Sequence, residues 1–128
     1  MKVILDTSVL IDDPTITAGS KAAISTISLA ELYFGVFTAP HPKERARRAT
    51  QLVFIESGFD ALPLDKRIGQ MLGQLQATVS ARGANPRRHT ADLAIAATAI
   101  VHEAVLLTNN YKDFRLIADL VEVREPPA

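Results

Sequence analysis

Apolar residues in this chain fall into short runs rich in β-branched side chains, which alternate with longer stretches of helical spacing. Val3 to Leu5 is such a run and reads as a buried strand with Asp6 at its C-terminal end. Ala22 to Ile27 is a second candidate strand. Ser28-Leu29-Ala30-Glu31 then has the form of a capping box, with Ser28 as N-cap and Glu31 at the third helical position. That helix should run through Phe34 or beyond and break before Pro40. Pro42 suits the first turn of the next helix, where Ala46, Ala49 and Val53 share a face and Arg45, Arg47 and Arg48 turn elsewhere. Ala61 to Leu64 is a marginal strand. From Asp65 onward, Ile68, Leu72, Leu75 and Val79 form a helical stripe that Gly83 can end. Thr90 can cap a helix from Ala91 to about Glu103, with Leu93, Ala97, Ile100 and Val101 on one face. Asp92, Ala96 and Ala99 lie on a neighbouring face of small residues. A strand at Val105 to Leu107, a short helix near Asp113 to Ile117 and a strand at Val121 to Val123 follow. The alternation predicts an α/β fold, a mainly parallel sheet with helices on both faces.

Length and composition narrow the classes. The 128 residues suit one domain, 1–128, with no repeat or linker. At 48% hydrophobic and 22% charged, the chain can build a core without help. It has no cysteine, which excludes a disulfide scaffold, thiolate catalysis and Cys-ligated zinc or iron–sulfur sites. Fourteen basic residues balance 14 acidic ones, so charge announces neither nucleic acid nor membrane. No run is long enough for a signal peptide or a membrane span, and a soluble, cytoplasmic protein is expected.

Position makes the acids interesting. Ligands of open α/β sheets bind beyond the carboxyl ends of the strands. Asp6, Glu31 and the loop from Thr108 to Asp113 face that edge if the strands are parallel, and Asp92 joins them if its helix begins there. Singly, each acid also reads as a cap, a partner of a helix dipole or a surface charge. Together around one cleft, several carboxylates stay ionised only with a cation between them. Hard oxygen ligands select Mg²⁺ or Mn²⁺, which can activate water and neutralise a phosphodiester.

Four segments carry a resemblance. Ile4-Leu5-Asp6-Thr7-Ser8-Val9-Leu10-Ile11, Ile27 to Gly35 around Glu31, Asp92 to Ala99, and Leu107 to Phe114 resemble, in order and spacing, the four motifs of PIN-domain proteins. Within them the chain is most similar to the VapC-type toxins of toxin–antitoxin pairs. The resemblance implies a PIN-like α/β/α sandwich and a Mg²⁺- or Mn²⁺-dependent endoribonuclease. It also implies a small cognate antitoxin that blocks the cleft, and a homodimer. Asp6, Glu31 and Asp92 match the family's acidic triad, with Asp6 and Asp92 as metal ligands. Thr108, and Ser8 with it, would support Asp6 from behind. Many relatives carry a fourth acid where this chain has Asn110. Asn110 can accept a hydrogen bond or ligate through its carbonyl but brings no charge, and Asp113 nearby could substitute.

An RNA substrate needs cations near the cleft. Arg82, Arg87 and Arg88 lie just before Asp92 and are the expected phosphate contacts, while Lys43, Arg45, Arg47 and Arg48 form a second cluster that also reads as ordinary surface. His41, His89 and His102 show no metal-ligand spacing. Leu29, Leu32, Tyr33, Val36 and Phe37 form a stripe suited to core packing, part of which, with Phe34, can instead receive an antitoxin helix. A haloacid-dehalogenase-type phosphatase would need a second Asp where Ser8 stands. The alternative from another class is a catalytically weak PIN-like module that binds RNA or protein; metal-dependent cleavage separates the two.

Overall fold

A computed structural model describes residues 2–13 and 21–126. In chain order these form β1 (Lys2–Leu5), α1 (Thr7–Asp12), β2 (Lys21–Ser25), α2 (Thr26–Phe37), α3 (Pro42–Gly58), β3 (Asp60–Leu62), α4 (Lys66–Ala81), α5 (Thr90–Val101), β4 (Val105–Leu107) and β5 (Val123–Arg124). Two 3-10 helices, Pro86–His89 and Tyr111–Ile117, lead into α5 and out of β4.

The five strands pair in the order β3-β2-β1-β4-β5, and every pairing is parallel. Successive side chains of a strand point to opposite faces, and the core divides accordingly. Ile4 and Leu106 pack on one face with Ile68, Leu75 and Val79 of α4, Ile95 of α5, and Phe114 and Ile117. Val3, Leu5, Val105 and Leu107 pack on the other with Val9 and Leu10 of α1, Ile24 and Ile55. The result is the expected three-layer α/β/α sandwich. Each fully buried aliphatic side chain contributes about 1.5–3 kcal/mol by leaving water.

Helix α5 is buried continuously from Leu93 to Ala99, not along a single stripe. Its alanines let α4 and the sheet close on it from several sides, the behaviour of a helix that is apolar all round. Helix α4 follows its periodicity: Asp65 caps it by accepting from Ile68 N–H at 3.0 Å. It ends in a Schellman turn, with Ala84 N–H on Val79 O, Gly83 N–H on Ser80 O and Gly83 at φ 90°.

Several boundaries differ from expectation, each for a local reason. Ser25, not Ser28, caps α2, because its hydroxyl accepts from Ile27 N–H at 3.1 Å and β2 stops there. Thr90 is not a side-chain cap; the chain is already wound as a 3-10 turn from Pro86, and the N-cap is His89. On α3 the buried residues are Leu52 and Ile55, while Val53 faces out. The last strand is Val123–Arg124, with Val121 turned into the core instead. Helix α1 was missed altogether, since six residues are too few to show a helical period.

Candidate active site

The strand order reverses direction at β1, which has β2 on one side and β4 on the other. A crevice opens at such a switch point beyond the carboxyl ends of the strands. Here it is a cleft of about 390 Å³ lined by Asp6, Thr7, Ser8, Ile11, Asp12, Glu31, Asp92, Asn109, Asn110 and Asp113. All four expected acids therefore reach one place, although they are up to 107 positions apart in the chain (113 − 6).

Asp6 ends β1 and is 5% exposed. Its Oδ2 accepts from Ser8 Oγ and from Thr108 Oγ1, each at 2.8 Å. Thr108 is fully buried at the end of β4 and in turn accepts from Asn110 N–H at 2.9 Å. One oxygen of Asp6 is thus held by two hydroxyls, and among the described residues no side chain donates to Oδ1. Ser8 also accepts from Asn109 N–H at 3.1 Å, which ties α1 to the loop after β4.

Because Ser25 is the cap, Glu31 is released from capping and sits in the second turn of α2. Thr7 Oγ1 lies 2.6 Å from Glu31 Oε1 and 2.9 Å from Ser28 Oγ. The hydroxyl has a single proton, and the carboxylate is the stronger acceptor. Asp92 enters from the first turn of α5. Burial raises its pKa to about 6, and the charges of Asp6, Asp113 and Glu31 add to the effect in that order. The carboxyl therefore registers all three other acids electrostatically. Asp113 sits in the first turn of the 3-10 helix after β4. Asn110 lines the cleft beside it.

Thr7, Asp12 and Asn109 belong to the cleft and were not foreseen. Asn109 Nδ2 donates to Asp12 Oδ2 at 2.7 Å and to Ser8 O at 3.3 Å. The available signal was the i, i+4 spacing of Ser8 and Asp12, visible only once a helix is recognised there. The arginines grouped before Asp92 part company. Arg82 is engaged by Asp119 at 2.8 and 3.0 Å and by the Leu116 carbonyl. The hydrogen bond to Asp119 raises the Arg82 pKa and lowers that of Asp119. Arg87 and Arg88 are exposed on the 3-10 turn that leads into α5, outside the lining of the cleft.

The donor set fits a hard divalent cation: carboxylate, hydroxyl and amide oxygens, with no sulfur and no imidazole. Among the described residues no three His, Cys, Asp or Glu side chains are grouped so as to hold a metal ion between them. The acids stand around an open cleft, which suits an ion such as Mg²⁺ that keeps several of its waters.

Comparison with known proteins agrees with this geometry. Residues 3–120 match the family model of the PIN domain. The chain is 30% identical over 125 residues to ribonuclease VapC4 of Mycobacterium tuberculosis, covering 93% of each chain. It is 31% identical over 99 residues to ribonuclease VapC2 of Rickettsia felis, covering 77% of this chain and 70% of that one. Among solved structures, VapBC-5 of M. tuberculosis, a member of the VapBC family of toxin–antitoxin systems, superposes with a TM-score of 0.81 at 28% identity, over 99% of this chain and 98% of that one. Motif order, fold and cleft lead to one conclusion: the chain belongs to the PIN-domain family, among the VapC ribonucleases.

Proposed function

We propose that residues 1–128 act as one PIN-like domain, an endoribonuclease that hydrolyses RNA phosphodiesters as the toxin of a type II toxin–antitoxin pair. The observation that carries the reading is the convergence of Asp6, Glu31, Asp92 and Asp113 on one cleft, where Asp92 is destabilised as an anion first by burial and then by the other three.

Asp6 and Asp92 would hold Mg²⁺ or Mn²⁺, with Glu31 completing the site directly or through water and Asp113 standing in for the acid absent at Asn110. When bound, such an ion would polarise the phosphodiester and lower the pKa of a coordinated water. The protein's own contribution is orientation. Ser8 and Thr108 fix one oxygen of Asp6 so that the other can serve the cleft, and Thr7 does the same for Glu31. Asp6 or Asp92 orients the attacking water. Addition of water at phosphorus and departure of the 3′-oxygen leave a 5′-phosphate and a 3′-hydroxyl. Arg87 and Arg88 would hold flanking phosphates.

The relatives named above, and the VapBC complexes among solved structures, support a small cognate antitoxin as partner. Its docking surface on this chain would be the exposed side of α2 around Phe34, and the active form would be a homodimer. The deciding experiment is cleavage of a mixed RNA pool by purified protein with Mg²⁺, with Mn²⁺ and with chelator, beside an Asp6→Asn control. Cleavage that needs metal and is lost in the control is expected. Failure of well-folded, antitoxin-free protein to cleave would favour the binding module.

A further inference from the structure

A second hollow, about 300 Å³, runs between α2 and α3, and it shares Ile11 and Glu31 with the acidic cleft. It therefore continues the cleft along α3. Its far wall carries Arg47, Arg48 and Gln51. The two guanidiniums share one carboxylate: Arg47 Nε donates to Glu44 Oε2 at 3.1 Å, and Arg48 Nε to Glu44 Oε1 at 2.9 Å. Arg48 Nη1 also donates to Gly35 O at 2.7 Å, which pins it across the groove to α2. One anion between two cations leaves this wall with one net positive charge, and Glu31 is the other charged residue of the lining. Each guanidinium has five N–H donors, so unused donors remain on both. The Arg47 side chain is 58% exposed.

We infer that this groove is a subsite for the sugar–phosphate backbone of a single-stranded RNA beside the scissile bond, with Arg47 and Arg48 as its phosphate contacts. The inference rests on the ribonuclease reading and adds to it. A cleft of four acids cannot itself attract a polyanion, and the chain as a whole is neutral. A basic wall continuous with the cleft supplies the attraction where the strand must enter. Pinned to α2 through Gly35 O, Arg48 loses less side-chain freedom on binding than a free arginine would.

The test uses a mixed-sequence single-stranded RNA of about 12 nucleotides, labelled for fluorescence anisotropy, on the Asp6→Asn protein so that the probe survives. Adding Arg47→Gln should weaken binding by about tenfold, and should reduce the slope of log affinity against log salt by about 0.7 for one lost phosphate contact. Adding Glu44→Gln should do the opposite and tighten binding, since it removes the competing anion. In the cleaving protein, Arg47→Gln should raise KM and leave kcat unchanged. Unchanged affinity and slope in both variants would overturn the subsite. Unchanged RNA affinity with weakened binding of purified cognate antitoxin to Arg47→Gln would also overturn it and assign the groove to protein. A failure of the parent reading looks different: the unmodified protein would then show no metal-dependent cleavage at all.

Discussion

Thr108 lies 102 residues beyond Asp6 in the chain, and its hydroxyl donates to Asp6 Oδ2 at 2.8 Å. The bond crosses between adjacent strands at the switch point, so it fixes the acid with the rigidity of the sheet. Thr108→Val keeps the shape and removes the donor. Changes behind a metal ligand typically cost 10–100-fold. kcat/KM for RNA should fall within about that range, and Thr108→Ser should recover most of it. Melting curves of both variants check that the loss lies in the site.

Asp92 sets an expectation for pH. Its folded pKa is raised from 3.8 to about 6, so folding favours the protonated form. The stabilisation from protonation is complete below the unfolded value and is lost as pH rises through about 6. In chelator, the melting temperature should therefore decline between pH 4 and 7, a window set by that shift. Asp92→Asn should flatten the decline, and millimolar Mg²⁺ should oppose it. A slope of unchanged size in Asp92→Asn would place the titration elsewhere.

Arg87 and Arg88 test the route into the cleft from the α5 side. Both are exposed and have no ion pair among the described residues. Replacing the two with Gln should weaken RNA binding and lower the salt slope by about 1.4, for two contacts at about 0.7 each. Arg82→Gln should leave that slope unchanged, because Asp119 and the Leu116 carbonyl hold it outside the lining of the cleft.

The exposed face of α2 and α3 bears on partners. Phe34 is 69% exposed and Phe37, one turn on along α2, is 71% exposed, while Val53 on α3 is 68% exposed, so both helices leave large apolar side chains in water. Phe34→Glu should leave the melting temperature nearly unchanged and weaken capture of purified cognate antitoxin. Unchanged capture would move the antitoxin elsewhere.

Two helix ends make a matched pair. Helices α4 and α5 both close with a left-handed residue, Gly83 at φ 90° and Glu103 at φ 53°. The conformation is free for glycine and costs another residue about 1 kcal/mol. Glu103→Gly should stabilise the fold by a few tenths to about 1 kcal/mol. Gly83→Ala should destabilise it by about 1 kcal/mol, purely through the backbone, since an added Cβ meets nothing within 4 Å. Chemical denaturation of the two variants reads both signs.

Much of this architecture was legible because its patterns are long or chemically distinctive. Ile68, Leu72, Leu75 and Val79 announce α4, and the run of small residues from Ala94 to Ala99 announces a helix approached from all sides. Asp6, Asp92 and Asp113 were legible as a set because each stands just past a strand or at a helix start. The rest depends on local competition that a pattern does not rank. Ser25 and Ser28 both satisfy the capping rule, and the choice between them decides whether Glu31 is a cap or a cleft residue. Arg82 looked equivalent to Arg87 until the fold brought Asp119 to it from 37 residues away. The site resolves further than the motifs did: Asp12 and Asn109 acquire partners only when α1 meets the loop after β4, and Thr7 only when α1 meets α2.

The central place of β1 also has a consequence for synthesis. Domains are made from the N-terminus at about 5–20 residues per second, and β1 leaves the ribosome first. One neighbour, β2, follows soon after, but β4 and Thr108 come roughly a hundred positions later. Until then Asp6 has no second hydroxyl, and Asp92 and Asp113 have no crevice to enter. A nascent or truncated chain ending before Thr108 holds Asp6, Glu31 and Asp92 but lacks Asn109, Asn110 and Asp113 of the cleft lining. The assembled cleft is thus a property of the finished chain.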